Sequence, residues 1–256
     1  AKECKRVLLK ELDFKVEAQY AARLRQQFLD EPKIKVPGVI WELSTKKIIC
    51  LDYLPGIKIN HQTKIIRSGV NPSEIAELGA SCYLKQLIEF GFFHADPHPG
   101  NLAVSSDGSL IFYDFGMMGM ISGRLKNQIG SMVHAAALKD TTKLVKELQK
   151  AGLLAQGIDI GPVRRLVRIM LKEKLTPPFD SDTIQKLSID LYELIYYQPF
   201  RIPVELIFVM RALSTLEGVG RSLDPNFNLI AITKPYLISL MTSNNSTPND
   251  LINEIG

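Results

Sequence analysis

Asp96, Asn101 and Asp114 have the types and the spacing for phosphoryl-transfer chemistry. They stand in His94-Ala95-Asp96-Pro97-His98-Pro99-Gly100-Asn101 and Tyr113-Asp114-Phe115-Gly116. In such chemistry one carboxylate faces the acceptor hydroxyl. An amide oxygen and a second carboxylate converge on a magnesium ion that bridges nucleotide phosphates. Asp-x4-Asn puts the base and the first ligand on one tight loop. The thirteen positions from Asn101 to Asp114 suffice for a short hairpin that returns the second ligand beside the first.

The elements that must position these groups follow from pattern. Leu102-Ala103-Val104 reads as a strand, Ser105-Ser106-Asp107-Gly108 as a turn with an Asp-Gly hairpin signal, and 109–113 as the return strand. A helix capped by Ser73, with Glu74 and Glu77 in its first turns, is expected to run to about Phe90. It would bury Ile75, Leu78, Leu84, Leu87 and Ile88 and deliver the chain into His94. Upstream, 17–29 is rich in helix formers. Strands at 38–43 and 47–54, joined by Ser44-Thr45-Lys46, would form a remnant of a small sheet. Beyond Gly119 the pattern is helical, over about 122–138, 140–151, 160–173, 181–197, 203–218 and 227–241. Breaks fall at Gly152, Pro177-Pro178, Pro199, Pro203 and Pro225.

H-x-D-x4-N followed by D-F-G is the order of the catalytic and metal-binding loops of protein kinases. The wording here resembles the UbiB family of atypical kinases, also called aarF-domain kinases. Typical eukaryotic protein kinases carry Arg after the first His and lack the His-Pro-Gly. Aminoglycoside and choline phosphotransferases share a similar loop but differ around the second metal-binding Asp. The resemblance implies an α+β, protein-kinase-like fold with a predominantly helical C-terminal lobe. Residues 1–56 would be part of a small N-terminal lobe, 57–242 the helical lobe and 243–256 a polar tail. ATP and Mg2+ are the implied cofactors, with Asp96 as catalytic base or nucleophile-orienting group and Asn101 and Asp114 as magnesium ligands.

Two further segments carry the resemblance. Lys10-Glu11-Leu12-Asp13-Phe14-Lys15-Val16-Glu17-Ala18 is similar to the family's E-x-D segment. It implies that Glu11, Asp13 and Glu17 serve nucleotide binding, Glu17 by pairing with a phosphate-gripping lysine. The same acids also suit a helix start on dipole grounds alone. Ile48-Ile49-Cys50-Leu51-Asp52-Tyr53-Leu54-Pro55-Gly56 resembles a kinase hinge, in which backbone groups at Asp52 and Leu54 would meet adenine. Read locally, it is a strand ending in a turn.

A glycine-rich phosphate loop, a Val-Ala-x-Lys strand and the family's K-x-G-Q segment are absent from this sequence. The expectation is a partial chain, inactive alone, whose phosphate loop and lysine lie upstream. No Ala-Pro-Glu segment follows Asp114-Phe115-Gly116, which argues against a conventional protein kinase. A small or lipidic substrate, or ATPase activity, fits better. The resemblance implies support of isoprenoid quinone biosynthesis or lipid homeostasis. It implies a lipid or quinone-precursor substrate and a peripheral membrane surface, on the cytoplasmic face in bacteria or in a plastid or mitochondrion. Met117, Met118 and Met120 are either a lipid-facing surface or gap-filling core. Two rival functions remain: a metal-dependent hydrolase using His94, Asp96 and His98, and a nucleotide-binding scaffold without turnover.

Bulk properties bound the rest. At 256 residues, 46% hydrophobic and 23% charged, the chain has ordinary globular composition and enough length for a full core. A net charge of +4, with basic residues spread along the chain, does not argue for nucleic acid. Three scattered cysteines form neither a disulfide framework nor a zinc pattern. No uncharged run is long enough to span a bilayer as a helix.

Overall fold

The computed structural model describes residues 13–155, 157, 159–172 and 200–242. They fall into two compact units, one within Ala1–Ile121 and Glu205–Lys234, the other within Ser122–Val204 and Pro235–Gly256. The fold is α+β.

The first unit holds the motifs. Its elements are α1 (Phe14–Gln27), β1 (Ile34–Lys35), β2 (Ile57–Lys58), α2 (Gln62–Arg67), α3 (Pro72–Lys85), β3 (Phe92–His94), β4 (Leu102–Val104), β5 (Leu110–Phe112) and β6 (Met118–Met120). Two sheets form among the described residues, one in the order β1-β5-β4-β2 and one pairing β3 with β6. The expected β4–β5 hairpin is present, with Leu102 opposite Phe112. Gly108 takes the left-handed conformation at φ +75°, and its N–H donates to Ser105 C=O at 3.0 Å. Asp107 accepts the Ser109 N–H at 3.1 Å and the Lys35 ammonium at 2.6 Å, and Lys35, with the Ser105 and Ser109 bonds, holds its carboxyl well below the usual range.

Four local expectations are corrected. The strands at 38–43 and 47–54 do not form: Trp41–Leu43 is a 3-10 turn, and the pairing reduces to the bridge Val39↔Leu51. Two backbone bonds remain, Ile40 N–H to Cys50 C=O and Asp52 N–H to Gly38 C=O, both 2.9 Å, but Ser44 interrupts the ladder: its hydroxyl donates to Ile40 C=O at 2.8 Å and accepts the Cys50 N–H at 3.0 Å. Second, the cap of α3 is Asn71, not Ser73. Asn71 Oδ1 accepts the Ser73 N–H at 3.1 Å, Asn71 Nδ2 reaches Glu74 at 3.1 Å, and Pro72 opens the helix. Third, the α-helix stops at Lys85, and Gln86–Phe90 continues as a π turn ending at Gly91 with φ +61°. Likewise α1 begins at Phe14, three residues before Glu17, because Asp13 caps it.

The expected helices of the C-terminal half appear as α4 (Gly123–Ala137), α5 (Thr141–Lys150), α6 (Gly161–Lys172), α7 (Val204–Leu223) and α8 (Leu229–Thr242). The one expected at 181–197 lies outside the described residues. Ser122 and Asp140 cap α4 and α5. Within the second unit, Val145, Leu154, Val163 and Val167 form a small buried cluster. In the first unit, α7 runs past Gly218 and Gly220. At Gly220 a Cβ would sit 2.4 Å from the Phe227 ring, so only glycine fits there. Leu216 approaches Gly79 of α3, and Gln62 Nε2 donates to Leu223 C=O at 2.8 Å. No helix among the described residues is long and apolar enough to cross a membrane.

The β3–β6 pair depends on a missing side chain. Gly119 lies opposite the fully buried Phe93, and a Cβ there would stand 2.3 Å from Phe93 Cζ. Gly119→Ala must displace that ring, and overpacking of this kind costs about 1–3 kcal/mol. The expected result is a lower chemical-denaturation midpoint than wild type; an unchanged midpoint would show that the ring yields freely.

Candidate active site

The two hairpin-like pairs bring the motif loops to one end of the unit. Tyr113 N–H donates to Asn101 C=O at 3.0 Å, one step beyond the Leu102–Phe112 pair. Ala95 N–H donates to Met117 C=O at 2.8 Å, one step beyond His94–Met118. Asp114 therefore runs beside both Asn101 and the start of the Asp96 loop.

His94 ties these loops together. Its ring is fully buried. Nδ1 accepts the Asp96 N–H at 3.1 Å, which leaves Nε2 as the protonated nitrogen, donating to Asp114 C=O at 2.8 Å. Burial lowers the imidazole's pKa, against the opposing effects of the Asp114 carbonyl and of the Asp114 and Asp96 charges, so the ring is neutral. Its backbone is held as tightly: His94 N–H donates to Gln86 Oε1 at 2.9 Å, and the Tyr83 hydroxyl donates to His94 C=O. The π turn presents Gln86, which is itself fully buried.

The rest of the loop is self-bonded. His98 N–H donates to Asp96 C=O at 2.7 Å, Asn101 N–H to His98 C=O at 2.8 Å, and Gly100 N–H to His98 Nδ1 at 3.1 Å. Asn101 Nδ2 makes a long contact to Asp96 C=O at 3.5 Å, so its amide oxygen is the group left to accept or ligate. Asp114 Oδ1 accepts the Gly116 N–H at 2.8 Å. Both His94 nitrogens are used internally, and no group of three His, Cys, Asp or Glu suited to a metal occurs among the described residues. A resident hydrolytic metal on His94, Asp96 and His98 is therefore not supported. Asn101 and Asp114, on loops joined by the Tyr113–Asn101 bond, are an amide and a carboxylate of the kind a hard cation takes as oxygen ligands.

Glu17 joins this group from α1. Tyr20, one turn on, has its ring 5.7 Å from Phe92, and the Arg23 guanidinium lies 4.1 Å over the same ring. Packed so, α1 directs Glu17 Oε1 to the Phe115 N–H at 3.3 Å. Burial pushes the Glu17 carboxyl above its ordinary range; the Phe115 bond pulls it back and the Asp114 charge adds to the rise. Two carboxylates held this way fit a site that receives a cation.

The other sequence-derived candidates sit differently. Asp13 caps α1, accepting the Lys15 N–H at 3.1 Å, with Lys46 at 3.9 Å. Glu11 lies outside the described residues. Asp52 is tied to Gly38, whose N–H donates to Asp52 Oδ2 at 3.1 Å. Leu54 C=O accepts the Tyr113 hydroxyl at 2.7 Å, which links the hinge-like segment to the residue before Asp114. Met117 and Met118 pack against the core while Met120 is exposed.

Sequence reasoning missed three residues here. Lys58 donates to Gly100 C=O at 2.5 Å and lies 4.3 Å over the Tyr113 ring. Tyr113 itself carried a signal, since it directly precedes Asp114. Arg211 of α7 places Nη2 3.2 Å from Asp96 Oδ2, and nothing local in its sequence marks that pairing.

A carboxylate–amide–carboxylate set on paired loops, with a glutamate delivered by a helix, defines a kinase-like protein. The family comparisons agree. Residues 1–148 match the ABC1 atypical kinase-like domain and residues 183–228 the UbiB helical domain. The chain therefore belongs to the UbiB, or ABC1 atypical kinase-like, family. It is 45% identical to an uncharacterised protein of Synechocystis over 99% of this chain and 44% of that protein. It is 39% identical to Protein ACTIVITY OF BC1 COMPLEX KINASE 7, chloroplastic, of Arabidopsis thaliana, over 93% of this chain and 34% of that protein. The chain thus spans less than half the length of these relatives. The structure of Rv3197 from Mycobacterium tuberculosis, solved with erythromycin, matches with a TM-score of 0.58 at 23% identity, covering 88% of this chain and 57% of that one; it shows the fold.

The raised pKa of Glu17 sets a sign. A carboxyl with a folded pKa above its unfolded value contributes stability that is lost as pH rises through the folded pKa. At neutral pH the ionised Glu17 therefore costs stability. Glu17→Gln, which keeps an acceptor for Phe115, should gain under about 1 kcal/mol there, and the gain should vanish below about pH 4.3. Denaturant titration at both pH values checks this; a variant less stable than wild type at neutral pH would contradict it.

Proposed function

We propose that this chain forms the core of a magnesium-ATP-dependent phosphotransferase or ATPase. The observation that carries this reading is the single neutral imidazole of His94 bonded to the backbone of both Asp96 and Asp114. Such a bond pair has little use except to fix two loops at one distance.

In this reading Asn101 and Asp114 offer an amide oxygen and a carboxylate to magnesium. The ion, when bound, neutralises charge on the transferring phosphate. Asp96 accepts a hydrogen bond from the acceptor hydroxyl, or from water, and takes its proton as the oxygen attacks. Glu17, on a helix locked by Tyr20 and Arg23, would pair with a lysine gripping the nucleotide phosphates. The hinge-like segment at Asp52 and Leu54 would border adenine. Of these two, Leu54 has its carbonyl committed to Tyr113, so adenine contacts would come from other backbone groups of the segment. Asp13 supports the reading only indirectly, by fixing where α1 starts.

Family membership supports a role in isoprenoid quinone biosynthesis or lipid homeostasis, with a lipid or quinone-precursor substrate at a membrane surface. The chloroplast location in the names of the plant relatives, and the cyanobacterial source of others, support a plastid or bacterial setting.

Two variants of the full-length protein test the assignment. Asp114→Asn should sharply weaken magnesium-dependent nucleotide binding, because a hard cation loses an anionic ligand. Calorimetry giving equal magnesium-ATP affinity in two folded proteins would sink that assignment. Asp96→Asn should lower turnover by roughly 10²–10⁴ with nucleotide affinity nearly intact. An unchanged rate of phosphotransfer or ATP hydrolysis would mean another group does the work.

A further inference from the structure

Arg211 is the cation the motif chemistry does not account for. It projects from α7, whose backbone is anchored: Ala212 and Leu216 are buried, and the helix end is held by Gln62 at Leu223 C=O. The guanidinium sits 3.2 Å from Asp96 Oδ2, with the Arg211 side chain 52% exposed and that of Asp96 25% exposed. Asp96 is its one partner among the described residues.

A guanidinium has five N–H donors in a planar fork that matches an oxyanion two bonds at a time. One contact to one carboxylate oxygen leaves most of that fork facing solvent. An ion pair exposed to this degree is weakly held and exchanges readily. The contact also takes one of the two oxygens of the carboxylate that a phosphoacceptor hydroxyl needs, and holds a positive charge against it. A neutral acceptor offers nothing to draw Arg211 away, whereas an acceptor with its own oxyanion does.

We propose that Arg211 is a specificity-determining residue that binds an oxyanion, phosphate or carboxylate, carried by the phosphoacceptor, and frees Asp96 as it does so. This rests on the phosphotransfer reading above. The acceptor's hydroxyl oxygen forms a bond to the γ-phosphorus while the bond from that phosphorus to the β,γ-bridging oxygen breaks. ADP leaves, the hydroxyl proton passes to the Asp96 carboxylate, and the acceptor's own oxyanion stays unchanged on Arg211.

The test is calorimetric titration of inorganic phosphate into the full-length protein saturated with magnesium-ADP. Wild type should bind phosphate saturably. Arg211→Met should weaken binding by roughly tenfold or more, the loss of a charge-assisted bond pair, and Arg211→Lys should retain part of it. Asp96→Asn should strengthen binding, because the competing carboxylate is gone. A merely structural ion pair predicts no loss of phosphate binding in Arg211→Met. The gain in Asp96→Asn must be absent when combined with Arg211→Met if it comes from freeing Arg211. Thermal melts establish that each variant is folded; if Arg211→Met is not, Arg211→Lys against Asp96→Asn decides. Absence of saturable phosphate binding in wild type, phosphate binding equal in Arg211→Met and wild type, or no gain in Asp96→Asn overturns the proposal, with the second outcome marking an adventitious ion only. Failure of magnesium-ADP to bind wild type overturns the nucleotide reading separately, and with it the acceptor role.

Discussion

One buried imidazole sets the spacing on which this site depends. His94 has no freedom: Gln86 and Tyr83 fix its backbone, and its two nitrogens meet the Asp96 N–H and the Asp114 carbonyl. A charged ring would have no acceptor site for the Asp96 N–H, so burial, which favours the neutral form, keeps the bridge intact. Polar groups at such depth are tolerated because each is satisfied. The distance between the Asp96 loop and the Asp114 loop is thus fixed by the core. Neither loop's own flexibility sets it.

Around that bridge the protein uses backbone pairing where side chains would be less exact. The β3–β6 and β4–β5 pairs each extend by one hydrogen bond into the motif loops. Gly119 allows β6 to lie against Phe93, and the π turn ahead of β3 turns Gln86 inward. α1 is fastened to the outer face of the same pair by Tyr20 and Arg23 on Phe92. Glu17 inherits its position from that packing. Burial there, with a smaller contribution from the Asp114 charge, raises its carboxyl above the ordinary range.

The helical domain matched at 183–228 also reaches the motif loop. α7 carries Arg211 to Asp96 from more than a hundred residues downstream, and it does so on a helix that packs on α3 through Leu216 and Gly79. A charge delivered this way is absent from the loop's own sequence.

The sequence by itself determined the chemistry-bearing loops, the β4–β5 hairpin and most helices. These are set by interactions between near neighbours: an Asp-Gly turn, caps at Ser122 and Asp140, helical periodicity. It misplaced what rests on competition between local options. Ser44 took one of the ladder bonds that two strands would have shared, Asn71 caps α3 where Ser73 was expected, with Pro72 opening the helix, and α3 ended in a π turn. Only the tertiary structure decided which acids gather. Asp13 and Glu17 look alike in the sequence, one turn apart, yet one caps a helix and the other meets Phe115. It alone also joined Lys58 to Gly100, Tyr113 to Leu54 and Arg211 to Asp96. Those contacts span long stretches of chain, and their partners are chosen by packing, which no local pattern encodes.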